Sequence, residues 1–247
     1  MLTALQYRIL KRLGPRDTES AGESAIVGER KLERLLGDWL LSEIPGKRVI
    51  DFGCGGGSEA VALAQRGAAF VTGLDIRPHL LEIAAEKARA AGVAGLCRFC
   101  EKPSEPADLI VSIDSFEHFE DPSEILKVMH EMLAPGGKVI VSFGPTWYHP
   151  YGGHLFSVRP WAHLVFSEEA LIRWRSDFKT DGATRFCEVE GGLNQMTIGR
   201  FERLVARSPF RLDRLEAVPI RRLARLHNRM TREFCTAVVR ARLLKPA

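Results

Sequence analysis

The chain has 247 residues, 45% hydrophobic and 27% charged, with a formal net charge of +4. A chain this long buries roughly 70 to 75% of its unfolded surface, so it needs no staples, and its composition is that of a globular protein. It has no run of about 18 apolar residues and no export signal, so neither a membrane span nor secretion is expected; five scattered cysteines fit a reducing cytoplasm.

In chain order, Leu2, Leu5, Ile9 and Leu13 recur at near-helical spacing and predict a helix packed by that face. Leu32, Leu35, Leu36, Trp39 and Leu40 share one face of a second helix within residues 28–45, starting at Gly28 and broken by Pro45-Gly46. KRVIDFG (47–53) reads as a first strand. A helix over SEAVALAQRG (58–67) follows, with Ser58 as N-cap and Gly67 past its end. AFVTGLDI (69–76) is a second strand, and residues 77–92 a helix with Pro78 in its first turn.

GLCRFCE (95–101) and ADLIVSI (107–113) are the third and fourth strands; KPSEP between them is too short and proline-rich for a helix. DPSEILKVMHEML (121–133) is a helix ended by the Pro135-Gly136-Gly137 turn, and KVIVSFG (138–144) a fifth strand. Residues 145–193 break the rhythm with aromatics, histidines, glycines and prolines, and read as an aromatic lid. A helix over 194–208, with Asn194 or Thr197 near its start, precedes two strand-like runs at 210–220 and 231–244 that can pair antiparallel at the sheet edge. The alternation predicts right-handed crossovers and a doubly wound, mostly parallel α/β sheet. Residues 1–46 form an N-terminal helical extension to a domain over 47–247.

Residues 200–247 carry 13 Lys and Arg against 4 Asp and Glu. Many of these arginines alternate with apolar residues, as solvated faces do, yet a basic segment also suits nucleic acid or an anionic substrate. Cys97 and Cys100 form a lone CxxC inside a β-like run and read as core cysteines.

The chemistry centres on VIDFGCGGG (49–57), where Gly53, Gly55, Gly56 and Gly57 follow Asp51. A strand, a glycine-rich turn and a helix N-terminus bind negative or polar groups. A phosphate loop requires a lysine that is missing. A dinucleotide fingerprint requires a third glycine where Ser58 stands, so an NAD-dependent oxidoreductase fits less well.

Asp51-x-Gly53-x-Gly55-x-Gly57 resembles the first motif of class I methyltransferases dependent on S-adenosylmethionine. Asp75, ending the second strand, resembles the family's ribose-binding acid. The stretch ADLIVSIDSFEHFEDPSEILKVMHEMLAPGGKVIVSFG and the closing TREFCTAVVRARLLKP resemble later parts of the same fold. The resemblance covers roughly residues 47–144 and 194–245. It implies a seven-stranded Rossmann-like sheet and S-adenosyl-L-methionine held by Asp51, Gly53, Cys54, Gly55, Gly57, Asp75, Ile76, Ile113 and Asp114. Cys100 and Glu101 fall where the adenine should lie, although the clipped link after the third strand departs from the family.

The resemblance further implies transfer of a methyl group to an acceptor. The Asn/Asp-Pro-Pro-aromatic motif of base-amine and glutamine methylation is absent; Ile113-Asp114-Ser115-Phe116 stands there, which favours a small-molecule hydroxyl. A hydroxyl needs a base, and His154 and His118 are the candidates. His118 also suits a structural role in the loop. Asp114, Glu117, His118 and His154 partly resemble the metal-assisting cluster of small-RNA 2′-O-methyltransferases and some quinone-precursor methyltransferases; no metal is the preferred reading, with RNA 2′-O-methylation as the alternative function. Trp147, Tyr148, Tyr151 and Trp161 suit a flat or apolar acceptor, or plug the lid against the sheet. Arg159 and Arg173 can meet a carboxylate.

Overall fold

The computed structural model describes residues 2–14, 29–189 and 191–246, with the side chains of residues 29 and 30 outside that description. The expected start of the second helix at Gly28 and position 190 of the insertion also lie outside it. Among the described residues the α-helices are α1 (Leu2–Leu13), α2 (Glu29–Leu36), α3 (Asp38–Leu41), α4 (Ser58–Gln65), α5 (Pro78–Ala90), α6 (Pro122–Glu131), α7 (Ala162–Val165), α8 (Glu168–Arg175), α9 (Ile198–Ala206) and α10 (Arg232–Cys235). The strands are β1 (Arg48–Phe52), β2 (Phe70–Leu74), β3 (Cys97–Cys100), β4 (Ala107–Ile113), β5 (Leu133–Phe143), β6 (Arg211–Pro219) and β7 (Thr236–Leu244).

They form one seven-stranded sheet in the order β3-β2-β1-β4-β5-β7-β6. β1 to β5 pair in parallel; β7 runs antiparallel between β5 and β6. The order reverses between β1 and β4, and ligands of open α/β sheets bind at the carboxyl ends of the strands beside such a switch.

Side chains alternate across the pleat, so each central strand feeds two cores. Ile50, Ile110, Val141 and Phe143 pack toward α6 and α9. Val49, Leu109, Val111 and Ile140 pack toward α2, α3 and α4. Cys97 and Cys100, three apart on β3, join opposite cores, which a shared metal would not allow.

Leu32, Leu36 and Leu40 are fully buried, each worth roughly 1.5–3 kcal/mol. The second helix does not run unbroken as expected: Gly37, at φ 71°, ends α2. Arg240 of β7 caps that end, donating from Nε to Leu35 O (2.7 Å) and from Nη2 to Arg34 O (2.7 Å). A cation there also complements the helix's partial negative charge.

Four further expectations are corrected. Ser58 is the first helical residue of α4, and Gly57, at φ 76°, occupies the cap without a side-chain bond. β5 begins at Leu133, ahead of the Pro-Gly-Gly segment, with a register shift opposite Ala107/Leu109 that absorbs it. Residues 232–235 are helical, so β7 starts only at Thr236. On α1 the packed side is Leu10, with Tyr7 and Leu13 beside it, whereas Leu2, Leu5 and Ile9 are 68%, 56% and 40% exposed.

The insertion after β5 builds a third core, in which Phe156, Trp174, Phe186 and Leu193 enclose Leu10 of α1. His163 locks it: Nε2 donates to Trp147 O (2.6 Å), and Nδ1 accepts from the Ser157 hydroxyl (2.8 Å), whose oxygen accepts from Gly153 N (3.0 Å).

Candidate functional site

The glycine loop is tied to the end of β2 before any ligand is considered. Gly53 N and Cys54 N both donate to Leu74 O, at 2.9 and 2.8 Å. Gly55, at φ 50°, turns its N–H onto Asp75 Oδ2 (3.0 Å). A side chain at Gly57 would put Cβ 2.5 Å from that of Ala84, so the loop needs glycine there to seat α4 against α5. Cys54 is buried, and burial pushes its thiol far above the ordinary range; it is a packing residue of the loop.

Asp51 is 3% exposed and its Oδ2 has no hydrogen-bond partner. Burial, aided by the charge of Glu59, pushes its carboxyl up to about 8. A buried carboxylate oxygen beside a helix N-terminus and without a partner fits a cationic ligand group such as an amine.

Asp75 is also buried, but its pKa lies below the ordinary carboxylate range. Burial alone would raise it; hydrogen bonds and charge from Arg77, with the Gly55 N–H, outweigh that. Ile76 beside it is 88% exposed, open to a flat ring. On the next strand Glu101 is exposed and Cys100 packs into the core.

At the end of β4, Ile113 turns into the core, while Asp114 stands at φ 48° and donates its N–H to Ser142 O (2.8 Å). Lys31 of α2 reaches over the loop to Asp114 (3.1 Å) and Glu59 (3.5 Å). Burial disfavours its charge, but the two carboxylates more than compensate, so its pKa is raised. Burial raises Asp114, with Lys31 opposing in part. Lys31 escaped the sequence reading because its contact spans to residue 114; its only signal is a lysine among the leucines of α2.

Glu117 is buried, accepts weakly from Gly144 N (3.4 Å), and leaves Oε2 without a partner. Burial, then Asp114, pushes its carboxyl up to about 8. Asn194 holds this loop, donating from Nδ2 to Phe116 O and Phe119 O, both at 2.8 Å.

His118 lies opposite His154 of the insertion, ring centroids 5.4 Å apart and planes inclined at 65°. His118 Nδ1 must donate to Gly192 O (2.9 Å), because a carbonyl only accepts; that tautomer leaves a lone pair on Nε2. His154 sits at φ 51° with Nε2 buried and without a partner. Burial, then the charge of His118, lowers its pKa to about 4, so it is neutral near pH 7. Among the described residues no three His, Cys, Asp or Glu side chains are arranged to hold a metal.

Of the lid aromatics, Trp147 packs on His163 and Phe186 inside the insertion. Trp161 donates Nε1–H to Tyr148 O (2.9 Å), while the Tyr148 ring is exposed and lies 5.2 Å from that of Phe234. Tyr151 donates its backbone N–H to His149 Nδ1 (3.0 Å). The structure therefore brings Asp51, Glu59, Lys31 and Asp114 together, with Asp75 nearby, and His118 with His154. Trp147 and Ile113 point elsewhere.

The family described as "Methyltransferase domain" matches residues 25–208. A ubiquinone biosynthesis O-methyltransferase of Neisseria meningitidis serogroup C is 35% identical over 140 residues, 54% of this chain and 55% of that protein. One of Xylella fastidiosa is 35% identical over 114 residues, 42% of this chain and 46% of that protein. The matches thus span about half the length of these curated relatives. Among solved structures, an S-adenosylmethionine dependent methyltransferase of Mesorhizobium loti superposes with TM-score 0.54 at 21% identity, over 82% of this chain and 92% of that one. The magnesium protoporphyrin IX methyltransferase of Synechocystis, with bound S-adenosylhomocysteine, gives 0.53 at 18% identity, over 84% and 78%.

Proposed function

This chain belongs to the class I S-adenosylmethionine-dependent methyltransferase family, and we propose that it transfers the methyl group of that cofactor to a hydroxyl of a small molecule. The observation that carries the acceptor class is the histidine pair: His118 Nε2 has a free lone pair, and the neutral ring of His154 stands beside it. Amines need no such base once neutral; a hydroxyl does. The O-methyltransferase names of the half-length relatives support the same reading.

The donor set fits the cofactor. The unpartnered Oδ2 of Asp51 suits its amine, Asp75 its ribose, and Lys31 brings a positive charge for its carboxylate into otherwise acidic surroundings. When bound, the cofactor supplies a methyl already activated by a sulfonium. The chain has to orient the acceptor, exclude water and remove one proton. In this reading His118 Nε2 would take the acceptor's hydroxyl proton and Gly192 O would steady the resulting imidazolium, while the acceptor oxygen would take the methyl as the methyl–sulfur bond breaks and that electron pair stays on sulfur. Glu117, held protonated by burial, and His154 Nε2 offer a hydrogen bond each to the acceptor.

The test is incubation with methyl-labelled donor and a metabolite extract, followed by mass spectrometry of the products. A labelled methyl ether is expected. Label on nitrogen, or only on RNA, overturns the acceptor class.

A further inference from the structure

The connection from β6 to β7, residues 220–235, lies at the same carboxyl edge as the candidate site. Pro219 pairs with Thr236 at that edge, just beyond the pairing of Phe143 with Val239. The connection is well built. Ile220 N donates to Cys235 O (2.7 Å), Asn228 Oδ1 accepts from Met230 N (2.8 Å), and the Phe234 ring rests on Tyr148. Yet this firm platform holds apolar side chains in solvent: Met230 is 91% exposed, Leu226 61% and Phe234 44%.

Four exposed arginines lie in the same connection: Arg221, Arg222, Arg225 and Arg229. Elsewhere in the basic C-terminal segment three arginines are held in ion pairs. Arg232 pairs with Glu202, Arg240 with Glu216, and Arg242 with Asp213 and Glu43. Among the described residues the four arginines of the connection make no ion pair or side-chain hydrogen bond.

We propose that this connection docks on an anionic lipid bilayer. Apolar tips gain by leaving water for the acyl boundary, while guanidinium groups meet lipid phosphates around them. A nucleic-acid backbone would satisfy the arginines but leave Leu226 and Met230 in water. A two-fold contact with a second copy would face these uncompensated arginines with their own images. Docking by this edge brings the histidine pair and the lid beside the membrane, where a lipid-soluble acceptor enters without crossing bulk water.

The full chain is spun with vesicles of phosphatidylcholine alone and with added phosphatidylglycerol, at low and high salt. Binding is expected only to the anionic vesicles and weakens with salt. Replacing Arg222 and Arg225 by Gln should weaken it roughly 30-fold, at about fivefold per arginine. Met230→Ser with Leu226→Ser should weaken it at least about tenfold. All variants should keep the thermal transition and the S-adenosylhomocysteine affinity of the parent. No binding to anionic vesicles, or binding that both variants retain, overturns the proposal. So does single-stranded RNA captured through these arginines without vesicle binding, or a concentration-dependent dimer lost in the same variants. Vesicle binding is read without turnover, so it fails or succeeds apart from methyl transfer.

Discussion

Arg77 closes on Asp75: its backbone N–H and Nε reach Oδ1 at 3.0 and 2.9 Å, and Nη2 reaches Oδ2 at 3.0 Å. With Gly55 N on Oδ2, both carboxylate oxygens are taken. A ribose that uses Asp75 must displace the guanidinium while the two backbone N–H bonds remain. The Arg77 side chain is 58% exposed, so its release costs little. Arg77→Ala is therefore expected to tighten S-adenosylhomocysteine binding roughly 2- to 10-fold by calorimetry, and Asp75→Ala to weaken it about 10- to 100-fold. Weaker binding in Arg77→Ala would make the arginine a cofactor ligand instead of a competitor.

Asp51 sets affinity against stability. Its carboxyl stays protonated up to about 8 in the fold but ionises near 3.8 in the unfolded chain. Between those values the folded state binds more protons, so this group's contribution to stability falls as pH rises. Asp51→Asn should stabilise the ligand-free protein at pH 9 by on the order of 2–5 kcal/mol, read as a higher melting temperature, and weaken donor binding at least about tenfold. In the parent, an arriving amine favours the carboxylate, so binding near pH 7 should release a proton. Calorimetry in buffers of different ionisation enthalpy reads that proton directly. No release would mean the amine binds elsewhere.

The sheet was legible mainly because β1, β2, β4, β5 and β7 carry β-branched residues within short windows and the longer helices an apolar face, whereas α10 was read as strand. Asp51, Asp75 and the glycines were legible for the same reason. The packed face of α1 was not: Leu2-Leu5-Ile9 and Tyr7-Leu10-Leu13 are both at helical spacing, and only α8 decides between them. Lys31 and Arg77 lay beyond reach because their roles come from partners and rotamers, not spacing. The lid's aromatics could be recognised as a group, but which of them enter its core depends on tertiary contacts such as that of Trp147 with Phe186.

Lys31 is the cation that α2 contributes to an acidic edge, so its removal should act on binding before it acts on folding. Lys31→Met leaves Glu59 and Asp114 without their shared partner and should weaken donor binding roughly tenfold. Lys31→Arg should restore most of it. A donor affinity unchanged in Lys31→Met, measured by calorimetry, would confine Lys31 to holding α2 in place.

The two facing histidines have separable signatures. His118→Gln removes the free Nε2 lone pair and should lower kcat by roughly 10²- to 10⁴-fold with little change in donor affinity. His154→Gln keeps a neutral hydrogen-bonding group and should cost far less, since the imidazole it replaces is already neutral above about 4. Equal losses in both variants, read from single-turnover rates, would point to a joint role.

The insertion should be the acid-sensitive part of the molecule. Burial lowers the pKa of His149 and His154 to about 4 and also lowers that of His163, so all three are neutral in the fold. In the unfolded chain they take up protons near 6.5. A group whose folded pKa is depressed contributes stability that is present above 6.5 and lost as pH falls through that window. For His154 the gap corresponds to about 3 kcal/mol at most, reached only near pH 4. His163 adds a geometric reason: once protonated, its Nδ1 no longer accepts from the Ser157 hydroxyl, and the link to Gly153 loosens. Hydrogen exchange followed from pH 7 to 4.5, corrected for intrinsic rates, should show residues 146–165 losing protection before the strands β1, β4 and β5. His163→Gln should shift that loss toward neutral pH. Loss of protection in the sheet first, or no shift in the variant, would remove these histidines as the cause.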